Sequence, residues 1–429
     1  MSLQLTVDRA LAETPPGRVV WVALSGGLDS SLLLTLAAAA WRRHPRPLYA
    51  LHVHHGLQAI ADGFELHCRR LCSRLGVPFF VERVRVERDA GLGLEGAARQ
   101  ARYAAFARRV MPGETLWLAQ HRDDQAETFL LAALRGSGAR GLAAMPPTRE
   151  WRGRHLGRPL LDVSRAELEA EAARRGVRWV DDPSNADERL DRNLLRHRVL
   201  PLLEARWPAA RASLARSAAH AAETETLLEE LADETLVRLG GEPGRLDLAA
   251  LRALTAPRCR LLVRHCCRRL GLPTPPAARL EALLVQLDAR RDAQACVAWP
   301  GAEARLWRDA LYLLAPLPDL PAGWEAYWEG GSDLSTPLGR WPVRLVREDG
   351  APAALRLAPR GGGERLRLPG RGGRDLKRLM QEWGVPPWQR RQVIVVWNGD
   401  DPVAALLPPG RWLGVAAGWR GETVSSGPV

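Results

Sequence analysis

Lysine is almost missing from this chain. Of its 61 lysine and arginine residues only one, Lys377, is a lysine. No covalent lysyl intermediate can therefore form anywhere before that position. Long hydrophobic runs are missing too: no stretch of about 18 uninterrupted apolar residues occurs, so no membrane-spanning helix is expected. The N-terminal segment MSLQLTVDRALAETPPGR lacks the basic-then-apolar pattern of a secretory signal. Cysteine is sparse, six in 429 residues with no C-x-x-C pair, which excludes a disulfide framework. Cys68 and Cys72, beside His67, and the Cys266-Cys267 pair have no partner motif and read as small buried residues rather than metal ligands. A reducing cytoplasm is the expected compartment.

What is present points to a folded, basic protein. Hydrophobic residues make up 46% and charged residues 26%, proportions of a globular chain. Its length exceeds one ordinary core, so two or three domains are expected. The net charge of +12 and isoelectric point near 10.4 favour a polyanionic partner. Arginine forks suit phosphates and stack on bases, so nucleic acid is the expected partner class.

The hydrophobic pattern divides the chain. Short apolar runs at Val19–Leu24, Pro47–Val53 and Thr115–Gln120 read as buried parallel strands, separated by helical patterns at Ser31–Arg43, Gly63–Leu75 and Leu94–Val110. That alternation predicts a doubly wound, mostly parallel α/β sheet over residues 1–207. From Pro208 strand signals give way to alanine-rich helical spacing that continues to Asp288, predicting a small helical domain over 208–315. After the link GWEAYWEGGSD, short alternating segments, the helix LKRLMQEWG and the strands QVIVVW and PVAALL predict an α+β domain over 332–429.

The segment VVWVALSGGLDSSLLLTLAAAA places two glycines, two serines and an aspartate between a strand and a helix. Successive backbone N–H groups at a helix N-terminus bind anions. Gly26 and Gly27 let a phosphate approach closely, and Ser25 and Ser30 add hydroxyl donors. The turn is not a Walker loop, which needs G-K-[ST], nor is it G-x-G-x-x-G. SGGLDSS resembles the PP-loop of the ATP pyrophosphatases, which cleave ATP between the α- and β-phosphates and adenylate a substrate.

A second segment, LAQHRDDQAETFLLAALRGSGARGLAAM, runs from a strand end into a helix whose first turns carry Asp123, Asp124 and Glu127. Asp124 and Glu127, three apart, share a helix face. Such carboxylates can hold Mg²⁺ or an ammonium group. This segment resembles the tRNA(Ile)-lysidine synthetase family. So do HVHHGL (His52–Leu57), GLEGAARQARY (Gly93–Tyr103), RPLLDVSRAEL, DDPSN (Asp181–Asn185), RNLLRHRVLP (Arg192–Pro201), APRGGGERL (Ala358–Leu366) and the stretch Leu376–Asp400. The chain departs from the family pattern at Gln120 and Arg122, where A-H-H-x-D-D is more usual, and at His54, where asparagine is common.

The resemblance implies a ligase that joins free L-lysine to C2 of the wobble cytidine of tRNA(Ile) bearing a CAU anticodon. ATP adenylates the base and yields AMP and pyrophosphate. It implies ATP contacts from Ser25, Gly26, Gly27, Leu28, Asp29, Ser30, His54 and His121, and catalytic roles for Asp29, Asp124, Glu127 and Arg192. Asp29 and Asp124 are the Mg²⁺ candidates, with the division of roles among the three carboxylates left open. Arg135, Arg140, Arg196, Lys377, Arg378 and Arg390 are the candidate tRNA contacts, and His197 and Arg391 lie beside them. Trp383, Trp388, Trp397 and Trp412 read as core residues. A homodimer is ordinary for such a family. Two other readings stay open here. A thiolating PP-loop enzyme would need the paired cysteines this chain lacks, and a non-catalytic nucleotide-dependent RNA binder would release no pyrophosphate.

Overall fold

Helix α1 (Leu3–Glu13) precedes strand β1 (Val20–Ala23), whose residues pair in parallel with two neighbours at once, Val22 facing Ala50 on one side and Trp117 on the other. The structure, a computed structural model, describes residues 2–56, 61–86, 93–287, 295–331 and 333–423, without the side chains of residues 61 and 93–95. Leu57 of HVHHGL, the side chains of Leu94 and Glu95, Asp288, Ser332 and Val429 lie outside the described residues.

The chain divides into two compact units, residues 1–228 and 229–429. In the first, β1 is followed by α2 (Leu28–Trp41), β2 (Leu48–His54), α3 (Ala61–Leu75), β3 (Phe79–Arg83), α4 (Gly93–Arg109), β4 (Thr115–Trp117), α5 (Arg122–Leu134) and α6 (Ala139–Leu142). The hairpin β5 (Thr148–Trp151) and β6 (Arg154–Gly157) and helix α7 (Arg165–Arg174) come next. The sheet order is β3-β2-β1-β4-β6-β5, parallel except for β5 at its edge. This is the doubly wound sheet that the alternating pattern predicts. Because β1 has β2 on one side and β4 on the other, the strand order reverses beside it. The crevice at the carboxyl ends of β1 and β4 is where such sheets bind ligands.

Apolar burial fixes this arrangement. Helix α2 has no polar face to speak of: Leu32, Leu33, Leu34, Leu36 and Ala37 are all fully buried, and it packs on the sheet and against α1, α3 and α7. Sequence patterning does not reveal α1, β3 or the β5–β6 hairpin. Strand β3 is an edge strand with half-buried side chains, so its alternation is weak. The hairpin turns through Arg152 and Gly153, both at positive φ (51° and 72°), a conformation of primed two-residue turns. Beyond α7 the chain makes a short 3-10 turn (Pro183–Ala186), then α8 (Asp191–Leu194), a π-helical segment (Leu195–Val199), α9 (Leu200–Arg206) and the long α10 (Ala210–Arg238). The division between the two units falls within α10.

The second unit holds two main cores. One gathers Leu246, Leu262, Val263, Leu280 and Leu311 from β7 (Arg245–Asp247), α11 (Leu248–Arg252), α12 (Ala256–Arg269), α13 (Ala277–Leu287), β8 (Cys296–Trp299), β9 (Ala302–Trp307) and β10 (Ala310–Leu314). The helices are those expected. They are joined by a four-stranded antiparallel sheet, order β7-β10-β9-β8, that the helical spacing gave no sign of. Its strands are only three to six residues long, too short for a period to stand out beside the longer helical patterns. The other core lies on a five-stranded antiparallel sheet containing the expected strands Ile394–Asn398 and Asp401–Leu407. The expected helix is Leu376–Glu382.

Candidate functional site

At the carboxyl end of β1 the chain turns through Ser25, Gly26 and Gly27 into α2. Gly26 sits at φ +94°, and a Cβ there would lie 3.1 Å from the Phe64 ring and 3.2 Å from Cys68 Sγ. The position therefore needs glycine for both its backbone angle and its close approach to α3. The turn is braced from within: Ser25 N–H donates to Ser30 Oγ at 3.1 Å, and the two hydroxyls lie 2.9 Å apart. Ser30 Oγ in turn donates to Gly27 C=O at 3.2 Å. Gly27, the N-cap of α2, brings no capping side chain. The first-turn amides are thus left for an anion at the positive end of the helix.

Ser25, Gly27, Leu28, Asp29 and Ser30 line one cavity of about 550 Å³ together with His54, Gln120, Asp124, Arg165, Arg192 and Arg196. Asp29, in the first turn of α2, accepts from Arg165 Nη1 with both oxygens, at 2.8 and 2.9 Å. Across from it stands the start of α5. His121 is the N-cap, its Nδ1 accepting from Asp123 N–H at 3.3 Å, while Asp124 accepts from the His121 N–H at 3.0 Å. His121 Nε2 lies 3.8 Å from Asp29 and 3.6 Å from Asp124, so one imidazole bridges the two helix starts.

Glu127 lies one turn deeper and is wholly buried. Arg196 grips it with two hydrogen bonds, at 2.7 and 3.0 Å, and reaches Asp124 at 3.3 Å. Arg192 adds its Nε at 3.4 Å from Glu127 and donates to Thr128 Oγ1 at 2.9 Å. Burial pushes both Glu127 and Asp29 above the usual carboxylate range, and the neighbouring arginines and His121 only partly offset it. Asp123 turns away from the cavity, accepting from the Arg165 N–H at 3.0 Å and from Arg211 at 3.1 Å.

The two departures at Gln120 and Arg122 have local explanations. Gln120 lines the cavity with its oxygen held by the buried Arg158, which also donates to Pro146 C=O at 2.7 Å. Arg122 is tied to Glu167 on α7 at 3.5 Å. His54 faces Asp62 at 3.1 Å. His55, Arg99, Arg102 and Tyr103 form another wall, with the Arg99 guanidinium over the Tyr103 ring at 5.0 Å. Burial lowers the His55 pKa to about 4, so the ring is neutral at pH 7.

Of the arginines expected to face tRNA, Arg196 instead stands inside the cavity, bound to Glu127. Arg135 and Arg140 are exposed, 3.8 Å from Asp191 and 3.7 Å from Glu225. In the second unit Lys377 and Arg378 are exposed, and Arg390 is half-buried with its Nε donating to Val385 C=O. His197 Nε2 donates to Asn185 C=O at 2.8 Å. Trp383, Trp397 and Trp412 pack against the cores and Trp388 is buried. Cys68 and Cys72 are buried thiols with raised pKa, that of Cys72 reaching about 12.

Sequence reasoning did not single out Arg165, Arg158 or Arg211. Arg165 had a local signal: it is the first helical residue after Ser164, whose side chain makes a capping box with Glu167. Nothing local marks Arg158 or Arg211, because their partners are distant in sequence.

A strand-turn-helix phosphate cradle facing an acidic helix start across one cavity, on a doubly wound sheet, defines an ATP-using PP-loop enzyme. Residues 2–203 match the PP-loop domain, residues 246–312 the TilS substrate binding domain and residues 355–422 the TilS substrate C-terminal domain. The tRNA(Ile)-lysidine synthase of Xanthomonas axonopodis is 47% identical, over 94% of this chain and 92% of that one. Those of Alkalilimnicola ehrlichii (45%, covering 93% and 92%) and Xylella fastidiosa strain Temecula1 (43%, covering 95% and 96%) are similar. The chain belongs to the tRNA(Ile)-lysidine synthase family.

Proposed function

We propose that this protein uses ATP and free lysine to convert the wobble cytidine of tRNA(Ile) with a CAU anticodon into lysidine, changing its codon and amino-acid identity from methionine to isoleucine. The reading is supported by one juxtaposition above all: the SGGLDSS turn and Asp124 open on the same cavity, in a chain 47% identical to a protein named for this reaction. The cytidine C2 oxygen attacks the α-phosphorus and pyrophosphate leaves. The lysine ε-amine then attacks C2, and AMP departs with that oxygen.

Each group has a task suited to its surroundings. The free amides at the start of α2 and the hydroxyls of Ser25 and Ser30 hold the departing pyrophosphate. Arg192 and Arg196 bring positive charge to the side of the cavity where the adenylate phosphate forms. Asp124, largely buried but lining the cavity and hydrogen-bonded, is placed to attract the lysine ammonium and to take a proton from it, because only the neutral amine is a nucleophile. Glu127 has no route to solvent and fixes Arg192 and Arg196.

Asp29 and Asp124 are hard oxygen donors on either side of His121, and Mg²⁺ is commonly held by one or two carboxylates with the remaining ligands from phosphates and water. The donor set fits. Bound there with ATP, the ion would spread charge on the phosphates. A cytoplasmic location, a homodimer, tRNA contacts at Arg135, Arg140, Lys377, Arg378 and Arg390, and domains at 1–207, 208–315 and 332–429 complete the proposal. Among the described residues no helix is long and apolar enough to cross a membrane.

The test is release of pyrophosphate from ATP. It should depend on tRNA(Ile) and continue to turn over only when lysine is supplied. Release without tRNA, or none with all three substrates, contradicts the proposal.

A further inference from the structure

The outer face of α3 carries a feature that the reaction above does not use. His67, Arg70 and Arg74 recur at helical spacing on one face, and with Arg69, Ser73 and Arg178 they line a groove of about 620 Å³. Neighbouring arginines are neutralised: Arg69 and Arg83 share Glu65 at 3.0 and 2.6 Å, and Arg174 and Arg175 share Glu171 at 2.7 and 2.6 Å. Arg70, Arg74 and Arg178 are exposed and, among the described residues, have no carboxylate within ion-pair distance. No aspartate or glutamate lines the groove. His67 Nε2 is buried at its floor without a hydrogen-bond partner. Like charges at i and i+4, as Arg70 and Arg74 are, disfavour a helix unless an anion lies against them.

The groove leads toward the cavity. Arg178 is followed by Trp179, 36% exposed, whose indole N–H donates to Asp181 at 3.0 Å. Val180 and Asp181 line the catalytic cavity, and Val180 N–H donates to Gly26 C=O at 3.0 Å. On its inner side α3 packs Phe64 and Cys68 against Gly26. A row of unneutralised arginines, an exposed indole held by its N–H, and the reaction cavity therefore follow one another along a short path. Basic grooves with aromatic platforms of this kind bind single-stranded nucleic acid, phosphates on the arginines and a base on the ring.

We propose that this groove is a track for the single-stranded anticodon loop beside the reacting nucleotide. Phosphates lie on Arg70, Arg74 and Arg178, and a flanking base stacks on Trp179. The inference rests on the lysidine reading for the identity of the RNA, but its test is a binding measurement that does not need the reaction.

Affinity of the full-length protein for tRNA(Ile), and for its isolated anticodon stem-loop, is measured across a salt series for wild type, Arg70→Glu/Arg74→Glu and Trp179→Ala. The double charge reversal should weaken both RNAs about tenfold or more. It should also reduce the slope of log affinity against log salt by about 1.4, the expectation for two single-strand phosphate contacts. Trp179→Ala should weaken both about fivefold or more with the slope unchanged. ATP affinity should be the same in all three proteins. Unchanged RNA affinity and slope overturn the proposal, as does a loss seen with whole tRNA but not with the stem-loop. A parallel loss of ATP affinity also overturns it, because it would make the arginines structural. If wild type binds RNA as described yet makes no lysidine, the function fails while the groove stands.

Discussion

Glu127 is the most constrained residue of the site, a carboxylate with no solvent contact whose charge is balanced by Arg196 and Arg192. Removing one partner of such a pair leaves an uncompensated buried charge, which costs about 3–5 kcal/mol. Arg196→Met should therefore lower the melting temperature of the first unit by several degrees. Arg135→Met, at an exposed contact of 3.8 Å, should leave it within about 0.5 kcal/mol of wild type. Equal melting temperatures for the two variants would contradict the assignment of Arg196 to the cavity.

Proton binding at Asp29 and Glu127 gives a second expectation. Both carboxyls titrate above their unfolded values of 3.8 and 4.5. A group raised in this way binds more protons in the folded state. Its contribution to stability therefore falls as pH rises from the unfolded value through the folded one, and is constant above that. Activity runs the other way, because the ion pairs of the site need the charged form. The acid limb of kcat/KM for ATP should lie above 4.5. A limb at or below the ordinary carboxylate range would show that these groups do not control the reaction.

At the scale of elements, the turn from β1 into α2 is the part most open to sequence reasoning. Its chemistry is local: two glycines, two hydroxyls and a helix start within a few residues. The two glycines should respond differently. Gly26→Ala forces a side chain into positive φ and against Phe64 and Cys68, at a cost of about 1–3 kcal/mol, and should lower stability. Gly27 has φ −72° and only Ser25 Oγ nearby at 3.6 Å, so Gly27→Ala should keep the fold and weaken ATP binding by intruding on the phosphates. Thermal melts and ATP titrations of the two variants check this. Loss of stability in Gly27→Ala with none in Gly26→Ala would reverse the roles given to them.

Other elements were legible only in part. The central strands β1, β2 and β4 announce themselves as unbroken apolar runs because both faces are covered. Edge strand β3 and the small sheet β7-β10-β9-β8 do not, since β3 is half-buried along its length and strands of three to six residues are too short to show a period. The acidic start of α5 is visible as Asp123, Asp124 and Glu127, yet the sequence cannot say that Asp123 turns away while Asp124 faces the cavity. That sorting comes from the helix angle and from Arg165 and Arg211, which approach from distant segments. Arg196 illustrates the same limit. In sequence it is one basic residue in RNLLRHRVLP, and only the fold brings it onto Glu127.

For the molecule as a whole, a charge of +12 carried almost entirely by arginine suits two tasks. In the cavity Arg165, Arg192 and Arg196 balance carboxylates and remain available to phosphates. On the surface, Arg70, Arg74 and Arg178 hold charge that no carboxylate of the described residues balances. The lone lysine, Lys377, belongs to the second unit, and in the proposed reaction the nucleophile is supplied as free lysine.

That last point gives the most direct measurement. tRNA(Ile) is incubated with the protein, ATP and isotopically labelled lysine, then digested to nucleosides and analysed by mass. The wobble cytidine should gain one labelled lysine with loss of one water, and Asp124→Asn should form none of this product while still binding tRNA. An unchanged wobble cytidine with wild-type protein, or full conversion by Asp124→Asn, would contradict it.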